Sequence, residues 1–240
     1  FLDTKELPAV TGKKHETKRE KRGDVIKKVP PFTRWTCIGL QGLSVFGFCG
    51  ITSTLVYLSI LFYNTIHKGQ ITTEGIAVIS AILFLSMFPL SLFSGIIAKW
   101  LIIGRFKTGH FPMYSMYYFR WWLFTRIQRM TGAPFLAGTP LMNWYLRLMG
   151  AKVGRNCIIN TATFSIYDHV TIGDNTSIGF ETQIPGYIVE DGYLKIGTVE
   201  IGNNCFLGIQ SSVGINTVLG DNVALDDQSM IPDGEKVKQG

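Results

Sequence analysis

"IGNNCFLGIQSSVGINTVLGDNVAL", Ile201 to Leu225, places its aliphatic residues at neither the two-residue period of a strand nor the 3.6-residue period of a helix. They recur every six residues, at Ile201, Leu207, Val213, Leu219 and Leu225 and again at Ile231, with glycine directly after the first four. Four residues beyond each of the first five stands a small residue: Cys205, Ser211, Thr217, Val223 and Ser229. A six-residue period is the mark of a parallel β-helix. Three hexads close one triangular coil, and successive coils stack at the strand spacing of about 4.8 Å. The aliphatic residue fills the interior, and the small one fits at the corner. The glycine serves the turn, because it tolerates backbone angles that cost other residues free energy. The pattern predicts a left-handed parallel β-helix, the known exception to right-handed crossovers.

The ladder also runs backwards. Ile172, Ile178 and Ile184 form a coil with Gly173 and Gly179 after the first two and Thr176 and Thr182 in the small slot, and Val153, Gly154 and Cys157 lead to Ile159. Offsets of 13 residues from Ile159 to Ile172 and 17 from Ile184 to Ile201 break the period, so chain leaves the solenoid at both places. The second break, "PGYIVEDGYLKIGTVE", is the natural site of an excursion, where solenoids usually carry function.

The rest of the chain is too apolar for one ordinary soluble domain. Of 240 residues 46% are hydrophobic and only 17% charged. From Trp35 to Ile66 there are 32 residues without Asp, Glu, Lys or Arg, and from Gly75 to Ala98 another 24. About 20 apolar residues cross a bilayer, so residues 35–103 read as a transmembrane helical hairpin, with Pro89 a kink in its second arm. Residues 1–34 form a basic polar segment, and Lys99, Arg105, Lys107, Arg120, Arg126 and Arg129 follow the hairpin, while the loop between the arms offers only Lys68. This asymmetry predicts an integral membrane protein with its N-terminus and solenoid on the positive-inside face. The basic residues border apolar spans and form no nucleic-acid motif, so the lipid bilayer is the expected partner and no nucleic acid is. In residues 104–149 the stretch "FPMYSMYYFRWWLFTRIQRM" mixes aromatics with three arginines, the composition of interfacial amphipathic helices. A soluble core helix is the alternative. Residues 150–240 complete the chain as the β-helix domain. Its first residue is Phe, so a processed product or a piece of a longer chain is expected.

Chemistry is sparse. Cys37 and Cys49 lie in the first apolar run, Cys157 and Cys205 occupy the small slot, and the histidines are His15, His67, His110 and His169. With one histidine in the solenoid, a three-histidine zinc site is out of reach, and no metal is expected. Hexapeptide acyltransferases use one histidine as general base, and His169 in "FSIYDHVTIGDN" is the sole candidate. Asp168 beside it points the other way in an extended strand, and orients the imidazole only if the irregular 13-residue gap rotates it. Glu190 and Asp191, between Tyr187 and Tyr193, suit binding an amino group or supplying a base. A surface histidine without duty and two solvated carboxylates are the plain alternatives.

The order of parts carries a resemblance. A basic lead, a membrane hairpin, "YYFRWWLFTRI", the string "LAGTPLMNWYLRLMGAKVGRNCIINT", then "VTIGDNTSIG" and "VEDGYLKIGTVEIG", resemble the membrane-anchored C-terminal region of the epsilon-poly-lysine synthetase type of nonribosomal-peptide-synthetase-like proteins, over roughly residues 35 to 225. The resemblance implies a module that joins amino acids downstream of adenylation and carrier domains. It takes no cofactor of its own and receives a phosphopantetheine-borne thioester from another domain. Members of that family carry a histidine shortly before the acidic pair, where this chain has Tyr187. Two functions follow from different classes. One is a membrane-anchored acyl or aminoacyl transferase-like module, with Asp168, His169, Glu190 and Asp191 as its catalytic candidates. The other is a non-catalytic β-helix scaffold inside a larger membrane complex. By analogy to the fold, a homo-trimer is the expected assembly, alongside other subunits or upstream domains.

Overall fold

The computed structural model describes residues 29–68 and 72–238, so most of the basic leading segment lies outside the described residues. Helix α1 runs Pro31–His67, with proline in its first turn, and α2 runs Thr73–Ala98, capped by the Thr72 hydroxyl, which accepts from the Gly75 N–H at 3.2 Å. Both are long and apolar enough to cross a membrane, and their apolar windows add nothing to the protein interior. The hydroxyls of Ser44, Thr54, Ser59 and Thr65 donate to carbonyls four residues back, so these polar atoms are satisfied within the helix. A π-helical turn, Lys99–Ile103, extends α2 and ends at Gly104 with φ 71°.

The bridge holds strand β1 (Gly109–Pro112), helix α3 (Met116–Arg129), a 3₁₀ turn (Ala133–Leu136) and helix α4 (Pro140–Leu148). The sequence suggested the headgroup level for the aromatics of α3, but Phe119, Trp121 and Phe124 are buried in protein, while Arg120, Arg126 and Arg129 are exposed on the same helix. Trp121 and Phe124 belong to one continuous apolar core that runs on through Met142, Leu146 and Tyr167 into the solenoid ladder.

The left-handed parallel β-helix follows. One face stacks β2 (Lys152–Val153), β4 (Val170–Ile172), β8 (Val199–Ile201), β11 (Thr217–Leu219) and β14 (Lys236–Val237), aligning Val153, Ile172, Ile201, Leu219 and Val237. The second stacks β3 (Ile158–Ile159), β5 (Ser177–Ile178), β9 (Phe206–Leu207) and β12 (Ala224–Leu225). The third pairs β10 (Ser212–Val213) with β13 (Met230–Ile231), and bridges from Phe164 to Ile184 and from Gln183 to Ser212 extend it downwards. At the 17-residue break the chain leaves the solenoid as an antiparallel hairpin, β6 (Tyr187–Glu190) and β7 (Tyr193–Ile196), and β1 of the bridge adds to its β7 edge.

Two residue classes of the repeat act otherwise than expected. The left-handed backbone conformation falls three residues after the ladder, on Asn156, Asn175, Glu181, Asn204, Gln210, Asn216, Asn222 and Gln228, with φ between 54° and 60°. Asparagine leads there because its side chain tolerates that region. The glycines next to the ladder answer instead to stacking: a Cβ on Gly173 would sit 2.6 Å from the Gly202 carbonyl carbon, and one on Gly202 2.7 Å from that of Gly220. The small slot is also a donor slot. Thr176 and Thr182 donate to the carbonyls of Gly202 and Gly208 at 2.9 Å, and the Cys157 and Cys205 thiols reach those of Gly173 and Gly220 at 3.0 and 3.1 Å. Each coil is thereby clipped to the next at its corner.

Candidate functional site

The 13-residue break contains a 3₁₀ turn, Tyr167–His169, that swings Asp168 and His169 out of the ladder towards the bridge. Asp168 Oδ1 lies 2.8 Å from Lys99 Nζ, and Oδ2 accepts the Phe106 N–H at 2.9 Å. His169 Nε2 lies 3.0 Å from the Phe106 carbonyl. The two neighbours hold the N–H and the carbonyl of one residue, Phe106, so the turn brings them together without Asp168 orienting the imidazole. A carbonyl only accepts, so Nε2 carries the proton and the acceptor lone pair sits on Nδ1. Lys99 is fully buried, and a Cβ on Gly150 would run into Asp168 Oδ1, which explains glycine at that position. Nearby, the Tyr117 hydroxyl accepts the Lys107 N–H at 3.0 Å, and burial pushes the phenol's pKa up.

The other predicted pair stands apart, at the tip of the β6–β7 hairpin, with Asp191 in the left-handed region at φ 52°. Lys195 on β7 faces both, 2.9 Å from Glu190 Oε2 and 3.8 Å from Asp191 Oδ2, so one ammonium is shared by two carboxylates.

Neither pair lines the cavity beside α3. That space, about 390 Å³, opens between the C-terminal half of α3, the 3₁₀ turn after it, and the lower third face of the solenoid. Its walls include Phe124, Gln128, Arg129, Thr163, Ser165, Gln183 and Tyr187. The Tyr187 ring packs edge-on against Trp121 at 4.9 Å, which fixes it at the foot of the hairpin. Gln128 sends its amide away, donating to the Tyr145 hydroxyl at 2.7 Å, and contributes mostly its stem. The Thr163 hydroxyl bonds the Thr182 carbonyl, so the other polar residues of the lining are Ser165, Gln183, Tyr187 and Arg129. Buried rings separate this space from the Asp168–His169 turn: Phe124 packs edge-on against Tyr167 at 6.3 Å and Phe106 at 5.9 Å. Among the described residues no three His, Cys, Asp or Glu side chains gather as metal ligands. Sequence reasoning missed Lys99, which reads as one more flanking charge, and the cavity. The family's histidine position, occupied here by Tyr187, was the one signal pointing to it.

Residues 198–226 match the family described as the hexapeptide repeat of succinyl-transferase. The solenoid is built of hexapeptide repeats. Over 130 residues, 54% of the chain, the protein is 30% identical to a delta-poly-L-ornithine synthetase of Acinetobacter baumannii (strain AB307-0294), a relative of the poly-amino-acid kind that the motifs suggested. The chain spans about 10% of that relative's length. Among solved structures, the chain is similar to serine acetyltransferase isoform 3 of Entamoeba histolytica, with 13% identity, a TM-score of 0.30, and 65% of this chain and 57% of that one covered. It is likewise similar to a hexapeptide-repeat-containing acetyltransferase from Vibrio cholerae, with 12% identity, a TM-score of 0.26, and 43% and 82% coverage. Superpositions this loose carry no correspondence of residues.

Proposed function

We propose that this chain is a membrane-anchored, hexapeptide-repeat aminoacyl transferase-like module, which joins a thioester-activated amino acid to an amine acceptor. The observation that carries the reading is the similarity over 130 residues to a poly-ornithine synthetase. The cavity, which buried rings part from His169, holds a portion of the substrate remote from the reacting carbonyl: it is apolar on one wall, has hydroxyls and Gln183 to orient an amide, and has Arg129 in its lining. The donor arrives as a phosphopantetheine-borne thioester from another domain. In the reaction the amine attacks the thioester carbonyl, the C–N bond forms as the C–S bond breaks, and the amine's proton is released while the thiolate leaves. His169, through Nδ1, is the candidate proton acceptor, Asp168 fixes the turn that presents it, and Glu190 and Asp191 offer carboxylates to the incoming amine. Helices α1 and α2 cross the bilayer, leaving the N-terminus and the solenoid on the positive-inside face. The solenoid assembles as a homo-trimer or with neighbouring domains.

The test is amide formation by the full-length protein in liposomes, supplied with an aminoacyl thioester and free amino acid. His169→Gln keeps a donor for the Phe106 carbonyl but removes the base, and should slow turnover about 100-fold to 10,000-fold. Wild-type rates in His169→Gln would remove His169 from the chemistry, and absence of turnover in the unaltered protein would reject the transferase. A scaffold is the second reading, and one observation favours it: Asp168 and His169 are both committed to backbone groups of Phe106 at the joint between bridge and solenoid.

A further inference from the structure

A second space of about 390 Å³ lies between α1 and α3, away from the solenoid. One wall is apolar, formed by Val45, Phe48 and Cys49, which share a face of α1. The other is basic, formed by Arg126 and Arg129 one turn apart on α3, with Arg126 over the Trp122 ring at 5.4 Å. Among the described residues neither guanidinium has a carboxylate within ion-pair distance. Two arginines without counter-charge, set beside a helix whose apolar face bears no polar partner for them, form half of a site. The missing half must be anionic at one end and aliphatic at the other.

We propose that this groove binds an anionic phospholipid, its phosphate between Arg126 and Arg129 and an acyl chain along Val45 and Phe48. The inference rests on the reading of α1 as a membrane helix. Trp122 at the junction suits the headgroup level, where indole rings collect. Basic pockets between helices on the positive-inside face select acidic headgroups, because the arginine fork pairs a phosphate bidentately and a net negative lipid leaves the charge balanced. Arg129 also lines the solenoid-side cavity, so a lipid held here would set the position of one of its walls.

The full chain is mixed with vesicles of phosphatidylcholine alone and of phosphatidylcholine with phosphatidylglycerol, and lipid retained after detergent extraction is counted by native mass spectrometry. Flotation with pure phosphatidylcholine reports the membrane reading independently of headgroup. Retained phosphatidylglycerol is expected in excess over its share of the vesicle, the excess falling about five-fold in Arg126→Gln and further in Arg126→Gln/Arg129→Gln. Arg155→Gln, an exposed arginine of the first coil, should leave it unchanged. A chain that floats but retains both lipids in vesicle proportion, or whose preference survives the double substitution, overturns the site. Displacement of the bound lipid by millimolar inorganic phosphate would assign the groove to a soluble anion and equally overturn it. A chain that does not float overturns the membrane reading and the lipid site with it.

Discussion

Lys99 Nζ stands 2.8 Å from Asp168 Oδ1, the ammonium at the end of an apolar helix and the carboxylate on a turn of the solenoid, with the lysine wholly inaccessible to water. Through Oδ2 the same carboxylate holds the Phe106 N–H, and His169 holds the Phe106 carbonyl. Four groups thus lock the apolar hairpin, the bridge and the β-helix together. A buried ion pair costs much of its attraction in lost hydration, so its presence argues for fixing an orientation more than for net stability.

Breaking that pair on one side should be severe. Lys99→Met and Asp168→Asn should each destabilise by about 3–5 kcal/mol, because each strands a buried polar partner, whereas Lys99→Met/Asp168→Asn should recover much of the loss, its amide oxygen still accepting the Phe106 N–H. Thermal unfolding of detergent-solubilised protein reads the cycle. Additive losses in the double variant would show that the two side chains do not depend on each other.

Four substitutions at three positions separate the roles within the repeat. Leu219→Asp should prevent the solenoid from folding, since an unpaired carboxylate in the apolar bore costs several kcal/mol. Gly202→Ala should cost about 1–3 kcal/mol by forcing coils apart. Asn222→Gly should be nearly neutral, and Asn222→Val should lose about 1–2 kcal/mol because a branched residue resists the left-handed region. The yield and melting temperature of each variant decide. Equal tolerance of Leu219→Asp and Asn222→Gly would contradict the register.

Burial holds Tyr167 well above the ordinary phenol range and Tyr145 above it, so both stay neutral in the fold while the unfolded chain ionises. The sign follows: the stability they contribute is whole below a pH of about 10 and is lost as the pH rises from there through their raised folded values. Unfolding free energy should therefore fall with pH in the alkaline range, and Tyr167→Phe should flatten the slope. An unchanged slope in that variant would place the alkaline loss elsewhere.

For the membrane reading, cysteines introduced singly as Lys68→Cys and Asn222→Cys, in a background with the four native cysteines replaced by serine, should react with an impermeant maleimide from opposite sides of sealed vesicles. Labelling of both from one side would mean that α1 and α2 do not form a spanning hairpin.

The solenoid was legible because its information is periodic and local: Ile201, Leu207 and Val213 declare the bore, and an excursion was announced where Ile184 to Ile201 breaks the count. The two apolar helices were legible for a similar reason, since the missing charges between Trp35 and Ile66 need no partner to be noticed. Yet the same string misassigned its glycines. Gly173 and Gly202 are dictated by the coil stacked above them, and the left-handed turn falls on Asn175 and Asn204, an assignment that only the stacked coils reveal. Composition placed the aromatics of α3 at a headgroup surface, whereas packing drew Trp121 and Phe124 into the protein and left the arginines outside. The sequence by itself determined the kind of fold, through repetition of side-chain size and polarity along the chain. The tertiary structure alone decided the sites. Lys99 meets Asp168 across 69 residues, Tyr187 meets α3 through a hairpin, and Arg126 and Arg129 meet α1, because such contacts depend on how separately readable elements dock and not on any local pattern.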